Sequence, residues 1–338
     1  MYTEFFGLGK LPFNLTPDPA FLFLPLKHGE ALAGLSYAIR ARKGLVVLTG
    51  NAGTGKTTLI SSVLTHLPLD KVESSVILNP TLTPAEFLEL VLLDFGIADV
   101  PASKAQRLWR LQTLLLEAHR EGKTAILVID EAHKLSLEVL EEIRLLGNFE
   151  YGPDKFLQIL MLGQPELDDL LDRHDLRQLK QRIALRLYID ALDATEVHEY
   201  IRFRWSKAGG TGAPPFTPEA IKGLVQWSQG IPRLINSLCD TALLMAYADM
   251  HLSVSIDDVC HAATNLALVA VSPPVSSPEA LKPATLLKLV PAEVAPNPAP
   301  ISETREPVQD IPRLTPPGTT RPNSSLLTRL AAKFQFFG

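Results

Sequence analysis

The sequence predicts an α/β fold. A three-layer α/β/α core surrounds a parallel five-stranded sheet, with a small all-α domain and then a Pro-rich tail behind it. Three observations carry the prediction. Five short apolar runs rich in β-branched residues, at 45–49, 72–79, 124–130, 156–162 and 185–190, are separated by helical patterns at 56–66, 84–95, 104–120 and 135–149. The runs are nearly continuous in their hydrophobicity, the pattern of strands covered on both faces. From residue 194 to about 268 the strand patterns stop and only helical periodicity remains.

The chain has 338 residues, long enough for about two domains at roughly 100–200 residues each. Its 32 Lys+Arg against 37 Asp+Glu give a formal charge of −5, which argues against coating nucleic acid through bulk charge but leaves room for a local basic patch. Two cysteines, Cys239 and Cys260, exclude a disulfide scaffold and a Cys-rich zinc site, and both fall in apolar helical patterns as core residues. No run of 18 apolar residues and no secretory signal at residues 1–10 is found, which points to the cytoplasm. About half of the 27 prolines fall between residues 273 and 322. Such a segment lacks the apolar area to offset roughly 1–2 kcal/mol of backbone entropy per residue. The expected division is therefore an N-terminal segment and α/β core over 1–192, a helical domain over 193–270, a disordered linker over 271–323 and a short apolar segment over 324–338. In that last segment Leu326, Leu327, Leu330, Phe334 and Phe337 recur at helical spacing, fitting either a docking element for a partner or membrane surface or a frayed terminus.

The first strand runs into Gly50-Asn51-Ala52-Gly53-Thr54-Gly55-Lys56-Thr57, followed by Thr58 and a helix, a full match to G-x-x-x-x-G-K-[ST] in the strand–loop–helix context that gives it meaning. Glycines let the backbone curl so that successive N–H groups face one anion, and the helix N-terminus adds partial positive charge. Lys56 then reaches the β- and γ-phosphates of a nucleotide, and Thr57 offers its hydroxyl to Mg²⁺. The third strand ends in Asp130-Glu131. Strand C-termini line the ligand crevice of a parallel sheet, so Asp130 is placed to hold Mg²⁺ and Glu131 to polarise the water that attacks the γ-phosphate. His133 completes Asp-Glu-Ala-His and reads as a helix-start residue without a catalytic task.

Gln164, after the fourth strand, sits where a polar residue contacts the attacking water or the γ-phosphate, and equally where a turn residue precedes a helix begun by Pro165. Arg177 and Arg182, before the fifth strand, are candidates for an arginine finger acting on a neighbouring subunit, with Arg182 preferred because it lies closest to the strand. Arg233 follows Gly230-Ile231-Pro232 at the start of an amphipathic helix and is placed either to bridge the γ-phosphate from the helical domain or to face solvent.

Together these residues make the chain resemble the AAA+ ATPases, P-loop NTPases, and within them the ExeA/GspA-like general secretion pathway ATPases. The N-terminal Phe5-Phe6-Gly7-Leu8, Pro12-Phe13, Leu15-Thr16-Pro17-Asp18-Pro19, Phe21-Leu22-Phe23 and His28 look like that family's opening segment. The phosphate loop, Asp130-Glu131, Gly163-Gln164-Pro165-Glu166-Leu167, Gln181-Arg182-Ile183 and Gly230-Ile231-Pro232-Arg233 follow in the family's order over residues 1–268. The resemblance implies strand order 5-1-4-3-2, a helical lid, ATP and Mg²⁺ in the cleft, a homo-oligomer, and adenine contacts from Phe6, Leu8 and His28; read from the residues alone, Phe5-Phe6-Gly7-Leu8 is equally an apolar plug on the core. Secretion members typically add a transmembrane helix and a peptidoglycan-binding domain; here a Pro-rich stretch follows instead.

The function expected is Mg²⁺-dependent ATP hydrolysis that powers or switches an envelope-associated secretion, export or assembly system. Its partners are the protein components of that machine, and its place is the cytoplasm or the periphery of the inner membrane. The alternative is a DNA-associated AAA+ ATPase of the transposition or DNA-handling type, with the basic run at 173–186 as the contact. A nucleotide-binding scaffold that hydrolyses slowly or not at all is argued against by the intact Lys56, Thr57, Asp130 and Glu131.

Overall fold

The computed structural model describes residues 2–268 apart from 17, 69, 70, 79, 152 and 153. The linker and apolar segment expected at 271–323 and 324–338 lie outside the described residues.

Strands β1 (Leu45–Gly50), β2 (Val72–Ile77), β3 (Thr124–Ile129), β6 (Leu157–Gly163) and β7 (Ile183–Ile189) form one sheet in the order β2-β3-β6-β1-β7. The short strands β4 (Glu150–Tyr151) and β5 (Asp154–Lys155) make a separate antiparallel ribbon. Every pairing in the large sheet is parallel, and the order of its five strands is the 5-1-4-3-2 that the resemblance implies.

Successive residues of a strand face opposite sides of a sheet, and the packing follows. Leu45, Val47, Leu127, Ile129, Ile159 and Met161 point into one core with Phe87, Leu88 and Val91 of α4 (Pro84–Asp94), Leu111 and Leu115 of α5 (Lys104–Arg120), and Val139 and Ile143 of α6 (Leu137–Leu146). Val46, Leu48, Ile126, Val128, Leu160 and Leu162 point into the other, with Leu35 and Ile39 of α2 (Leu26–Arg40) and Leu59, Ile60 and Val63 of α3 (Lys56–His66). The three-layer core is thus two apolar clusters separated by the sheet.

Strand β7 begins at Ile183 rather than at residue 185. It lies at the sheet edge, where Ala184 and Tyr188 are exposed, so its apolar signal alternates and reads weaker than that of the buried strands. The helical pattern at 135–149 resolves into α6 alone. Ser136 caps α6 by accepting from the Val139 N–H, and a 3₁₀ turn at Ala132–Lys134 precedes it.

After β7 the described residues are helical: α9 (Ala194–Lys207), α10 (Pro218–Ser228), α11 (Pro232–Ala248) and α12 (Ile256–Asn265). Reciprocal capping boxes start α9 (Asp193 with Glu196) and α12 (Ser255 with Asp258), each satisfying two backbone donors that a helix start leaves open. The N-terminal segment packs here rather than on the sheet. Tyr2, Leu8, Phe13 and Phe21 share a cluster with Val197, Trp205, Leu238 and Leu243. Arg204 fastens the arrangement by donating to the Pro12 carbonyl at 2.6 Å and the Asn14 carbonyl at 3.2 Å.

Candidate nucleotide-binding site

A cavity of about 580 Å³ opens where the C-terminal ends of β1 and β3 meet the N-terminal segment and the helical lid. Its floor is the loop at 52–58. Gly55 caps the start of α3 in a left-handed conformation, φ 99°, and a Cβ there would meet nothing within 4 Å. The loop therefore presents open space directly before a helix N-terminus, the geometry of an anion cradle.

Lys56 is buried, and its Nζ donates to the Gly50 carbonyl at 2.6 Å and the Asn51 carbonyl at 2.9 Å. Among the described residues no carboxylate pairs with it. Burial pushes its pKa below the usual lysine value, although Asp130, Glu131 and Glu166 pull it up. A buried ammonium held only by carbonyls beside an open cavity is a cation short of an anion, and a phosphate group supplies one.

Thr57 Oγ1 donates to Asp130 Oδ2 at 2.8 Å, and the Glu131 N–H donates to Asp130 Oδ1 at 2.8 Å. Burial holds the Asp130 carboxyl above the usual carboxylate range, and those two hydrogen bonds only partly offset it. A hydroxyl and a carboxylate side by side are hard oxygen donors, the set that Mg²⁺ prefers. The residues present fit a nucleotide triphosphate with its magnesium.

Glu131 has φ 53°, left-handed for a non-glycine residue, and this turns the chain out of β3 into the 3₁₀ turn. Burial raises its pKa. The bond and charge of Lys134, with Nζ 3.0 Å from Oε2, and the charges of His133 and Lys56 outweigh burial and leave the pKa lowered. Glu131 and Lys134 both line the cavity.

The remaining expected residues are dispersed. Gln164 is not among the cavity's lining residues; its backbone N–H donates to His133 Nδ1 at 3.3 Å. Arg233 lines the cavity and is exposed, and its backbone N–H donates to the Gly53 carbonyl at 3.2 Å, tying the first turn of α11 to the phosphate loop. Arg182 lies at the far end of the sheet, where its Nη1 donates to the Arg144 carbonyl at 3.1 Å. Ile183 pairs with Leu45, five residues before the loop begins at Gly50, so at about 3.3 Å per strand residue Arg182 stands roughly 16 Å from its own chain's cradle.

Of the three adenine contacts that the resemblance implies, His28 lines the cavity, whereas Phe6 packs edge-on against Trp205 and Leu8 is buried in the lid cluster. The wall is completed by Leu22, Phe23, Tyr200 and Asn236, which sequence reasoning missed. They come from segments up to 214 residues apart and share no local pattern. The basic run at 173–186 is largely neutralised: Arg173 pairs with Asp175, Lys180 with Asp172, and Arg186 with Asp168 and Asp172.

A family model described as an AAA domain matches residues 39–171, from the end of α2 through α7 (Glu166–Leu171). Over 249 residues, 73% of this chain, the sequence is 43% identical to general secretion pathway protein A of Aeromonas hydrophila. The match covers 45% of that protein, so the chain spans less than half the length of this relative. Among solved structures, Cdc6p from Pyrobaculum aerophilum superimposes with a TM-score of 0.57 at 14% identity, covering 80% of this chain and 72% of that one. The Aeropyrum pernix ORC2 protein, solved as ADPNP–ADP complexes, gives 0.56 at 17% identity, over 76% and 71%. At such identities the likeness speaks for the fold. Loop, acid pair, strand order and the 43% match agree: the body of the chain has the AAA+ P-loop fold and is similar in sequence to general secretion pathway protein A.

Proposed function

We propose that the chain binds ATP with Mg²⁺ in this cavity and hydrolyses it to ADP and phosphate. The observation that carries the reading is the Thr57–Asp130 hydrogen bond, 2.8 Å, which sets the loop's hydroxyl against the first acid of the pair. In this reading the backbone of residues 50–58 and the Lys56 ammonium bind the phosphates, and Thr57 and Asp130 hold the metal. Bound magnesium supplies charge neutralisation at the phosphate oxygens. Glu131 orients water and accepts its proton as the water oxygen bonds to the γ-phosphorus and the bond from that phosphorus to the β–γ bridging oxygen breaks. Arg233 approaches the γ-phosphate from the lid, and Arg182 acts on the nucleotide of a neighbouring copy.

The wider role we propose is a switch or energy source for an envelope-associated secretion or assembly machine, acting as a homo-oligomer at the cytoplasmic side of the membrane. Its support is the likeness to general secretion pathway protein A. Among the described residues no helix is long and apolar enough to cross a membrane. The DNA-handling alternative is less favoured because the basic run that would contact DNA is largely engaged by Asp168, Asp172 and Asp175.

Calorimetric titration with Mg²⁺-ATP tests the site. Wild type and Glu131→Gln are expected to bind with affinities within about threefold of each other, Lys56→Ala to show no binding, and only wild type to turn over; undiminished turnover in Glu131→Gln removes the assigned base.

A further inference from the structure

His133 is the one member of Asp-Glu-Ala-His that the reading above leaves without work, and its surroundings are specific. Its side chain is 12% exposed and lies between the catalytic acid and the end of β6. Nδ1 accepts the backbone N–H of Gln164 at 3.3 Å. With Nδ1 so occupied, the neutral ring carries its proton on Nε2. Nε2 lies 3.3 Å from the Gln164 carboxamide nitrogen and 3.6 Å from Glu131 Oε2. The second distance is beyond a hydrogen bond, so the ring's donor edge lies beside the carboxylate without bonding to it. For the Nε2 proton to be accepted, the carboxamide must turn its oxygen toward the ring. The imidazole therefore touches both Glu131 and Gln164, and Gln164 itself does not line the cavity.

The turn that presents it is fixed at both ends. Asp130 accepts the Glu131 N–H, the Lys134 N–H donates to the Glu131 carbonyl at 2.9 Å, and Lys134 Nζ sits 3.0 Å from Glu131 Oε2. Glu131 thus has two cationic or donor neighbours on its own turn. Lys134, half-exposed, is the looser; His133, locked against β6, is the tighter.

From this geometry we infer that His133 is a positioning residue, which sets the orientation of the Glu131 carboxylate against Gln164 and so aligns the base with the attacking water. The inference rests on the proposed hydrolysis. It assigns the link between Glu131 and Gln164 to one imidazole edge, Nε2, and leaves nucleotide binding to other residues.

The test is steady-state ATP hydrolysis by the full chain, with thermal melting alongside. The variants are His133→Ala, His133→Asn, His133→Gln, Gln164→Ala and the pair His133→Ala with Gln164→Ala. Asn places an acceptor at the Nδ1 position, so the bond to the Gln164 N–H and the fold survive while the Nε2 link is lost. Gln reaches the Nε2 position. The expected result is a kcat reduced about tenfold or more in Ala and Asn, largely recovered in Gln, with KM for ATP within about twofold throughout. The double variant should be no slower than the slower single variant, because both changes cut one linkage. An unchanged kcat in His133→Asn, a loss that Gln does not recover, or single losses that multiply in the double variant each overturn the positioning role. If wild type turns over and Glu131→Gln does not, such a result removes His133 alone. If wild type shows no Mg²⁺-dependent turnover, the reading of the site fails and this role fails with it.

Discussion

Asp130 illustrates how a single side chain trades stability for chemistry. Its raised pKa means that the folded chain prefers the neutral acid. The stabilising effect of that preference is fully present below the unfolded pKa of about 4 and is lost as pH rises through the elevated folded value. At neutral pH the buried carboxylate is therefore a cost, which the proposed function explains by the metal it would hold. Asp130→Asn keeps an acceptor for the Glu131 N–H and removes the charge. We expect it to raise the melting temperature at pH 7 by a few degrees, on the order of 1 kcal/mol, with the gain vanishing toward pH 4, and to abolish Mg²⁺-ATP turnover. A lower melting temperature at pH 7 would contradict the assigned burial cost. The position of the acid beside the loop was legible in sequence because strand, loop and acid pair are each contiguous and strand direction brings their ends together. The work of His133 was not legible, since Gln164 lies 31 residues away and only the β3–β6 pairing brings the two together. Leu22, Phe23, Tyr200 and Asn236 were hidden for the same reason: each is one residue contributed by a distant element to a shared wall.

At the level of elements, the junction between sheet and lid turns on two glycines. Gly230 has φ 73°, and a Cβ there would stand 1.9 Å from the Leu192 carbonyl oxygen, whose own residue donates its N–H to the Gly230 carbonyl at 2.9 Å. Neither backbone can yield without breaking the bond that starts the lid. Gly230→Ala is expected to cost about 3 kcal/mol or more in urea unfolding. Gly53 has φ 78°, and its Cβ would meet Arg233 Cβ at 2.9 Å and Ile231 Cγ2 at 3.0 Å. Here the clash falls between loop and lid rather than within a backbone pair. Gly53→Ala should therefore weaken ATP binding at least about tenfold while costing only roughly 1–2 kcal/mol of stability. Equal losses of stability in the two variants would refute this division. The strands buried on both faces and helices α3, α4 and α5 follow closely from periodicity. Helix α2 did not, because Gly29 and Gly34 lower its helix propensity. The structure supplies the reason for Gly34: a Cβ there would lie 2.8 Å from Leu187 of β7, so close helix–strand packing selects the residue that disguises the helix. The attachment of the N-terminal segment to the lid was equally unreadable, as the hydrogen bond from Tyr2 to Asp240 spans 238 positions.

For the molecule as a whole, the decisive fact is a separation. Arg182 sits at the start of β7, roughly 16 Å along the sheet from the cradle that begins at Gly50, with its guanidinium turned to the Arg144 carbonyl. No rotamer of one side chain covers that distance, so a role for Arg182 in turnover requires a second copy of the chain. A head-to-tail interface would bring the start of β7 in one copy against the cradle of the next, and repetition of that contact closes a ring. The arrangement predicts complementation. Arg182→Ala alone should lose turnover while binding ATP normally. It should also lose little stability, since the bond to the Arg144 carbonyl is worth on the order of 1 kcal/mol. Glu131→Gln alone should lose turnover as well, with its half-exposed pairing to Lys134 contributing little to stability. Mixed before assembly, the two inactive chains create interfaces at which an intact Glu131 from one faces an intact Arg182 from the other. ATPase activity of the mixture should exceed the sum of its components and peak near equal proportions. Activity that never rises above that sum, at any ratio and at concentrations where light scattering shows assembly, would rule out action between copies.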